Sequence, residues 1–293
     1  MWVFSLYTIV DGIFVSRGVG PTALAAVNIS MPFVNFIFAV ALFFSTGAST
    51  IIAIYLGQGD MERANETFTM TIVSTVILSF IIMMISLLNL ERLALFLGAT
   101  ENTLEYVKDY LRIIIMFNGF FIVSYSLEVI VKTDGFPQLA IIGVCISALM
   151  NIVLDYLFVI KLNLGIPGAA YATGIAQVAS CIFFIVHFLK KNSKLNFAKF
   201  RFSFPRIVRM LSIGFPDAIT ELSAGMVIFL FNQNILKYIG ENGIVTYSII
   251  TYVNTLVLTT MVGITQGMQP LSSYYYGMED EETVEKLFNM SLK

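Results

Sequence analysis

The sequence predicts an all-α integral membrane protein made of two helical bundles in tandem, and two observations carry that prediction. Hydrophobic residues make up 57% of the 293-residue chain and charged residues 12%, with a mean hydropathy of +0.83, so the chain carries about half the charge of an ordinary soluble domain. The chain also repeats itself at an offset of 220 residues: Gly20, Gly47, Gly57, Asp60 and Glu62 reappear as Gly240, Gly267, Gly277, Asp280 and Glu282, and Ile29, Phe68 and Met70 as Ile249, Phe288 and Met290. Both copies run in the same direction, and the span between them is apolar enough for six crossings. Parallel duplication of membrane bundles is the organisation of secondary transporters.

Taken in order, apolar stretches long enough to cross a bilayer lie at 24–56, 68–88, 111–131, 138–160, 167–189, 210–236 and 243–276. Residues 1–16 precede Arg17, roughly 24 Å of helix against a hydrocarbon core of about 30 Å, so the first of eight expected spans is read as cut and the chain as part of a longer protein. The stretches 24–56 and 243–276 correspond under the offset, exceed a straight span, and are expected to tilt or project. Pro32 and Pro270 are expected to kink them. The expected division is an amino-terminal membrane lobe at 1–189, a basic linker at 190–209 and the opening of a carboxy-terminal lobe at 210–293.

Orientation follows from that linker. Lys190, Lys191, Lys194, Lys199, Arg201, Arg206 and Arg209 stand together without an Asp or Glu, which places the segment in the cytoplasm. It is read as a topology signal, with contact to anionic lipid the lesser alternative. Other signals are weaker. Gly57-Gln58-Gly59-Asp60 reads as a tight cytoplasmic turn, because no strand precedes it as a phosphate loop would require. His187 is expected at the interface near Lys190, and Cys145 and Cys181 within the packing. A formal net charge of -2 gives no nucleic-acid footprint. The sequence offers no Ser-His-Asp set, metal-ligand cluster or nucleotide loop, so an enzyme reading has no chemical handle and no cofactor is expected.

Ionisable residues within apolar spans mark ion or substrate pathways. Asp11 stands six residues before Arg17, Asp155 six before Lys161 and Thr173 six after Pro167, which puts all three roughly 9 Å below the outer surface. Asn151 lies one helical turn before Asp155 and Gln177 one turn after Thr173, each on its partner's face, and Ser147 extends the stripe. Two carboxylates with an amide and hydroxyls form an oxygen-rich cluster suited to a proton or a hard monovalent cation. An Asp this near a helix end can alternatively turn to the interface or pair with the adjacent Arg or Lys. Glu128 precedes Lys132 by one turn and is expected to pair with it. Glu221 is midway along its span and is a candidate substrate-binding residue.

These residues resemble a family. Val10-Asp11-Gly12-Ile13-Phe14-Val15, Ala23-Leu24-Ala25-Ala26-Val27, Pro32, Gly47 and Gly57-Gln58-Gly59-Asp60 are similar to the amino-terminal half of the multidrug and toxic compound extrusion (MATE) transporters. Asn151-Ile152-Val153-Leu154-Asp155, then Gly165-Ile166-Pro167-Gly168-Ala169-Ala170 and Thr173, resemble that family's fifth and sixth helices, and Glu221-Leu222-Ser223 with Phe231-Asn232 its bacterial multidrug branch. The run Thr133-Asp134-Gly135-Phe136-Pro137 departs from the family pattern of Gly-Asp followed by a basic residue. The resemblance implies a MATE-like pair of six-helix lobes, the second truncated here. It implies an antiporter of the bacterial inner membrane that expels small amphipathic or cationic compounds in exchange for protons or sodium ions. It implies a cation site at Asp11, Asn151, Asp155 and Thr173, with Ser147 and Gln177 in support. The full-length protein is expected to be monomeric in its bilayer. The alternatives are a flippase of lipid-linked precursors from the same superfamily, which would want basic groups in its cavity, and a non-transporting truncated membrane subunit.

Overall fold

The computed structural model describes residues 2–190 and 193–291, which form ten α-helices and one π-helical turn, with no strand among the described residues. In chain order these are α1 (Trp2–Gly18), α2 (Pro21–Gly57), α3 (Met61–Leu88), the short α4 (Leu90–Leu97), α5 (Leu104–Thr133), α6 (Pro137–Asp155) and the π-turn Tyr156–Lys161. Then come α7 (Gly165–Phe188), α8 (Phe204–Tyr238), α9 (Glu241–Gly277) and α10 (Glu281–Ser291). Six helices among the described residues are long and apolar enough to span a bilayer, the π-turn counting with α6.

The duplication is visible at the level of single residues. Helices α2 and α9 both contain 37 residues and correspond end for end under the repeat offset, about 55 Å of helix in each copy. Both begin after a glycine of positive φ, Gly20 at 124° and Gly240 at 87°. Both end in a left-handed turn, at Gly59 (φ 75°) in the first copy and at Glu279 (φ 61°) in the second. An aspartate caps the next helix in each: the Arg63 N–H donates to Asp60 Oδ1 at 3.0 Å, and the Thr283 N–H to Asp280 Oδ1 at 3.0 Å. An anionic cap satisfies an orphan donor and complements the helix dipole. The Thr283 hydroxyl and N–H hold the Asp280 carboxyl below the usual carboxylate range.

The two copies of the repeat are joined by packing of α2 against both α8 and α9. At the end expected from the basic linker to face the cytoplasm, Gly57 lies against the backbone carbonyl of Tyr274 and Gly277 against that of Ile54, too close on either side for a Cβ. Further along, Gly47 and Gly214 let α2 and α8 touch at the carbonyls of Met210 and Phe43. In a membrane, where water does not drive helices together, such small-residue contacts are the main source of packing energy. Pro32 has no N–H to offer the Asn28 carbonyl one turn back. Asn232 of α8 supplies the missing donor, its Nδ2 reaching Asn28 O at 3.3 Å. On the outer face, the Thr100 hydroxyl donates to Glu241, Asn102 Nδ2 reaches the same carboxylate at 3.4 Å, and Phe96 stacks on Phe229 at 5.3 Å.

Two apolar cores lie one above the other. The outer one gathers Val15, Val27, Leu97, Leu111, Ile114 and Ile166; the cytoplasmic one gathers Ile52, Phe68, Leu127, Ile130, Phe184 and Phe188. On α6 and α7 the cores leave a gap over 147–155 and 173–177, where the polar residues fall.

The linker is a strap rather than a loose tether. Asp134, fully buried at the end of α5, accepts from Ser193 Oγ at 2.9 Å, from the Lys194 N–H at 2.9 Å and from the Leu195 N–H at 3.0 Å. The Asn196 N–H donates to Asn65 Oδ1 at 2.7 Å, the Ala198 N–H to Thr69 Oγ1 at 3.0 Å, and Arg206 pairs with Glu66 at 2.9 Å. Helix α8 begins at Phe204, so it takes in the last part of the basic run. His187, in the last turn of α7, is not open to solvent there: it is 7% exposed and its Nε2 lies 2.8 Å from Asp134 Oδ2, as a buried carboxylate needs its oxygens satisfied. The cysteines are both free, Cys181 buried and Cys145 partly so. Lys191, which belongs to the same run, lies outside the described residues.

Candidate functional site: a polar layer between two apolar cores

The cluster is built by three helices. Asp11 on α1, Ser147, Asn151 and Asp155 on α6, and Thr173 on α7 converge in the gap between the two cores, and α1 packs on both α6 and α7. Asp155 and Asn151 are fully buried, and Asp11 and Ser147 nearly so. Their i, i+4 spacing brings Ser147, Asn151 and Asp155 onto one face of α6. The π-turn begins immediately after Asp155, and its Val159 side chain lies where a Cβ on Gly18 would stand, 2.5 Å away, so the turn seats the end of α1. Turns of this kind recur at functional positions.

The hydrogen bonding is incomplete in a specific way. Asn151 Nδ2 donates to Thr173 Oγ1 at 3.2 Å, and the Thr173 hydroxyl donates to the Ala169 carbonyl at 3.0 Å. These bonds fix the amide so that its oxygen is left over. Asp11 Oδ1, Asn151 Oδ1, both oxygens of Asp155 and Ser147 Oγ are buried with no partner while both carboxylates are ionised, and the Asp11 and Asp155 carboxyls lie within hydrogen-bonding reach of each other once one carries a proton. Buried polar atoms are normally satisfied, and an ionised, empty cluster would leave these oxygens bare at a cost of about 1–3 kcal/mol each. Asp11 and Asp155 are close enough to repel one another directly. Nearly all the unpaired atoms are acceptors, so what fits the gap is something positive: a proton shared between the carboxylates, or a small hard cation taking oxygen ligands. No group of three or more His, Cys, Asp or Glu forms a transition-metal site among the described residues.

Not every expected residue joins this set. Gln177 pairs instead with the Tyr7 hydroxyl, and Tyr7 interacts electrostatically with both Asp11 and Asp155. Tyr7 went unnoticed in the sequence although it stands one turn from Asp11 on the same face. Glu221 belongs to a different place. It is half-buried on α8 and interacts with Tyr125, whose hydroxyl accepts from Gln266 Nε2 of α9 at 2.7 Å across the lobe interface. Glu128 forms the expected bond with Lys132, at 3.0 Å, and it interacts with Tyr7 on one side and Tyr125 on the other.

Comparison with known proteins gives the same architecture. The chain is 25% identical over 296 residues to the multidrug export protein MepA of Staphylococcus saprophyticus, an alignment covering 99% of this chain and 65% of the relative. The chain thus spans less than two thirds of that curated relative. The solved MATE multidrug transporter DinF-BH superposes with a TM-score of 0.93 at 29% identity, covering 99% of this chain and 66% of that one. An outward-facing MATE family transporter of the MOP superfamily superposes at 0.88 and an inward-facing one at 0.82, both at 26% identity, covering 99% and 98% of this chain and 64% and 66% of theirs. With helices that cross the bilayer repeatedly and bacterial relatives throughout, this is a multi-pass protein of the bacterial plasma membrane. The family model MatE matches residues 1–157, more than half of the chain, which therefore belongs to the MATE family of transporters.

Proposed function

We propose that the chain carries the ion-coupling lobe of an antiporter that exports amphipathic or cationic compounds in exchange for protons or sodium ions. The observation that supports this most directly is the clustering of unpartnered oxygens on the carboxylates Asp11 and Asp155 and the amide Asn151, whereas the unpartnered buried atoms outside the cluster, on Asn28, Ser45, Asn118 and Asn232, belong to neutral side chains. In this reading Asp11 and Asp155 take up the coupling ion from the outer side, and Asn151, oriented by Thr173, supplies a neutral oxygen. Uptake removes the repulsion between the carboxylates and lets α1 close on α6. Release toward the cytoplasm restores the repulsion. The ion therefore has different affinities for two arrangements of α1, which is the requirement for coupling.

The substrate class follows from the relatives named as multidrug exporters and from the acidic, aromatic character of the lobe interface around Tyr125 and Glu221. The basic side chain in the cytoplasmic part of α5, Lys132, is paired with Glu128, which leaves it unavailable to the anionic headgroup a flippase would carry. Rocking of the two lobes about α2 completes an alternating-access cycle.

The test is efflux by the complete gene product in proteoliposomes under separately imposed proton and sodium gradients. Asp11→Asn and Asp155→Asn are expected to abolish gradient-driven efflux while the protein remains monodisperse. Wild-type rates in either variant would remove the proposed site.

A further inference from the structure

The basic run between the lobes is left unexplained by transport. Its physical setting is unusual for a linker, since the stretch from Lys194 to Ala198 is bonded by its backbone to Asp134, Asn65 and Thr69, and Ser193 adds its hydroxyl to Asp134. Leu195 is buried and Phe200 packs against the cytoplasmic core, while Lys194, Lys199 and Arg201 point outward and are exposed. Beside them Phe202 and Phe204 are 69% and 68% exposed. Arg206 is held by Glu66, but Arg209, one turn further on, is exposed as well.

Two independent features therefore coincide on one surface. The charges are of a single sign, with no acidic residue from 190 to 209. Large apolar rings stand among them where α8 enters the bilayer, so they lie at headgroup level. Aromatic side chains settle at that level with the ring toward the acyl chains, and Lys and Arg bind the phosphodiesters above. A strap that served only to set topology would need the charges but neither the exposed rings nor the fixed backbone.

From this we infer that the strap is a membrane-docking surface for anionic phospholipid headgroups of the cytoplasmic leaflet. Lys199 and Arg201 take the phosphate and Phe202 enters the interface beside it. Because Asp134 fixes the strap to the first lobe, a lipid held there sits beside the hinge from which α8 departs.

The 293-residue chain, purified in detergent, is titrated with phosphatidylglycerol and, separately, phosphatidylcholine, and retained lipid is counted by native mass spectrometry. Phosphatidylglycerol is expected to be retained in preference. The Lys199→Gln/Arg201→Gln pair should reduce its apparent affinity on the order of tenfold or more, since each basic residue near an anionic surface contributes about a factor of five. Phe202→Ser should lower retention of both lipids. Lys286→Gln, an exposed change elsewhere, should alter neither, and far-ultraviolet circular dichroism confirms that each variant is folded. Equal retention of the two lipids by the unsubstituted chain, or unchanged phosphatidylglycerol affinity in the folded double variant, overturns the inference. Neither result bears on Asp11 and Asp155, so it fails separately from the transport reading.

Discussion

Gly57 and Gly277 are related by the 220-residue offset and perform the same task on opposite sides of one contact: each receives the backbone carbonyl of the residue three before the other, Tyr274 and Ile54. Residue and partner exchange roles across the interface, as in a two-fold dimer, although a single chain supplies both halves. A side chain on either glycine has to push α2 and α9 apart. Gly57→Leu and Gly277→Leu are each expected to move the helix ends from glycine contact toward the about 8–10 Å axial spacing of ordinary packing. Spin labels on the exposed Gln58 and Met278 read that separation. A distance distribution that did not move in either variant would count against a glycine-dependent contact.

Asp134 should matter for stability although it lies outside the ion cluster. Asp134→Ala strands His187 and the Lys194 N–H, and leaves the Ser193 hydroxyl and the Leu195 N–H only their bonds within the strap. Removing one member of a buried network of this kind costs about 3 kcal/mol. Thermal unfolding in detergent should shift down by roughly 6–12 °C. Ser193→Ala, which removes one of the four contacts, should shift it by less than half as much. An Asp134→Ala protein that melts with the parent refutes the strap's anchoring.

The Thr173 hydroxyl is the group that orients Asn151. Thr173→Val keeps the volume and removes the acceptor, leaving the amide free to turn its oxygen away. The concentration of coupling ion needed for half-maximal efflux by the full-length protein is expected to rise about tenfold, the effect of one lost hydrogen bond of roughly 1.4 kcal/mol. Thr173→Ser should restore it. An equal response to Val and Ser would show that the methyl group, and not the hydroxyl, is what the site uses.

Glu128 and Lys132 are only 17% and 20% exposed, so their bond is screened less than a surface pair. A double-mutant cycle with Glu128→Gln and Lys132→Gln, read from thermal unfolding, should return a coupling of about 1 kcal/mol. Each single variant should be less stable than the double one. A coupling indistinguishable from zero would mean that the two side chains part in solution.

Most helices were legible in the sequence because a membrane span needs about twenty apolar residues and admits few others: the stretch expected at 138–160 is α6 with its π-turn. The expected spans at 1–16 and 243–276, by contrast, form helices α1 and α9 that are not among the six helices long and apolar enough to cross a bilayer in the described residues. The cluster on α1, α6 and α7 was legible because each member lies a fixed number of turns from a helix end, so depth could be counted. Asp134 was not. Its partners are side chains and backbone N–H groups 53 to 61 residues away, and no periodicity marks a long-range anchor. The π-turn after Asp155 was hidden as well, since the side chain it sets against another element, Val159 against Gly18 of α1, is a long-range contact that no local pattern marks. Helix α4, at 8 residues, is too short to register as a span, and only its amphipathic pattern against the outer core distinguishes it from a loop.

The strap has a mechanical consequence. Since residues up to 198 are hydrogen-bonded to α3 and to Asp134, the length without such bonds is not the whole basic segment but the short piece at 199–203 before α8, of which Phe200 packs on the core. A short joint has few conformations to lose, so in the proposed cycle the part of the chain from α8 onward would pivot about a nearly fixed point, as an oar in its lock. A small displacement there would become a large one at the far end of α8, where Asn232 bonds to Asn28 and Phe229 stacks on Phe96.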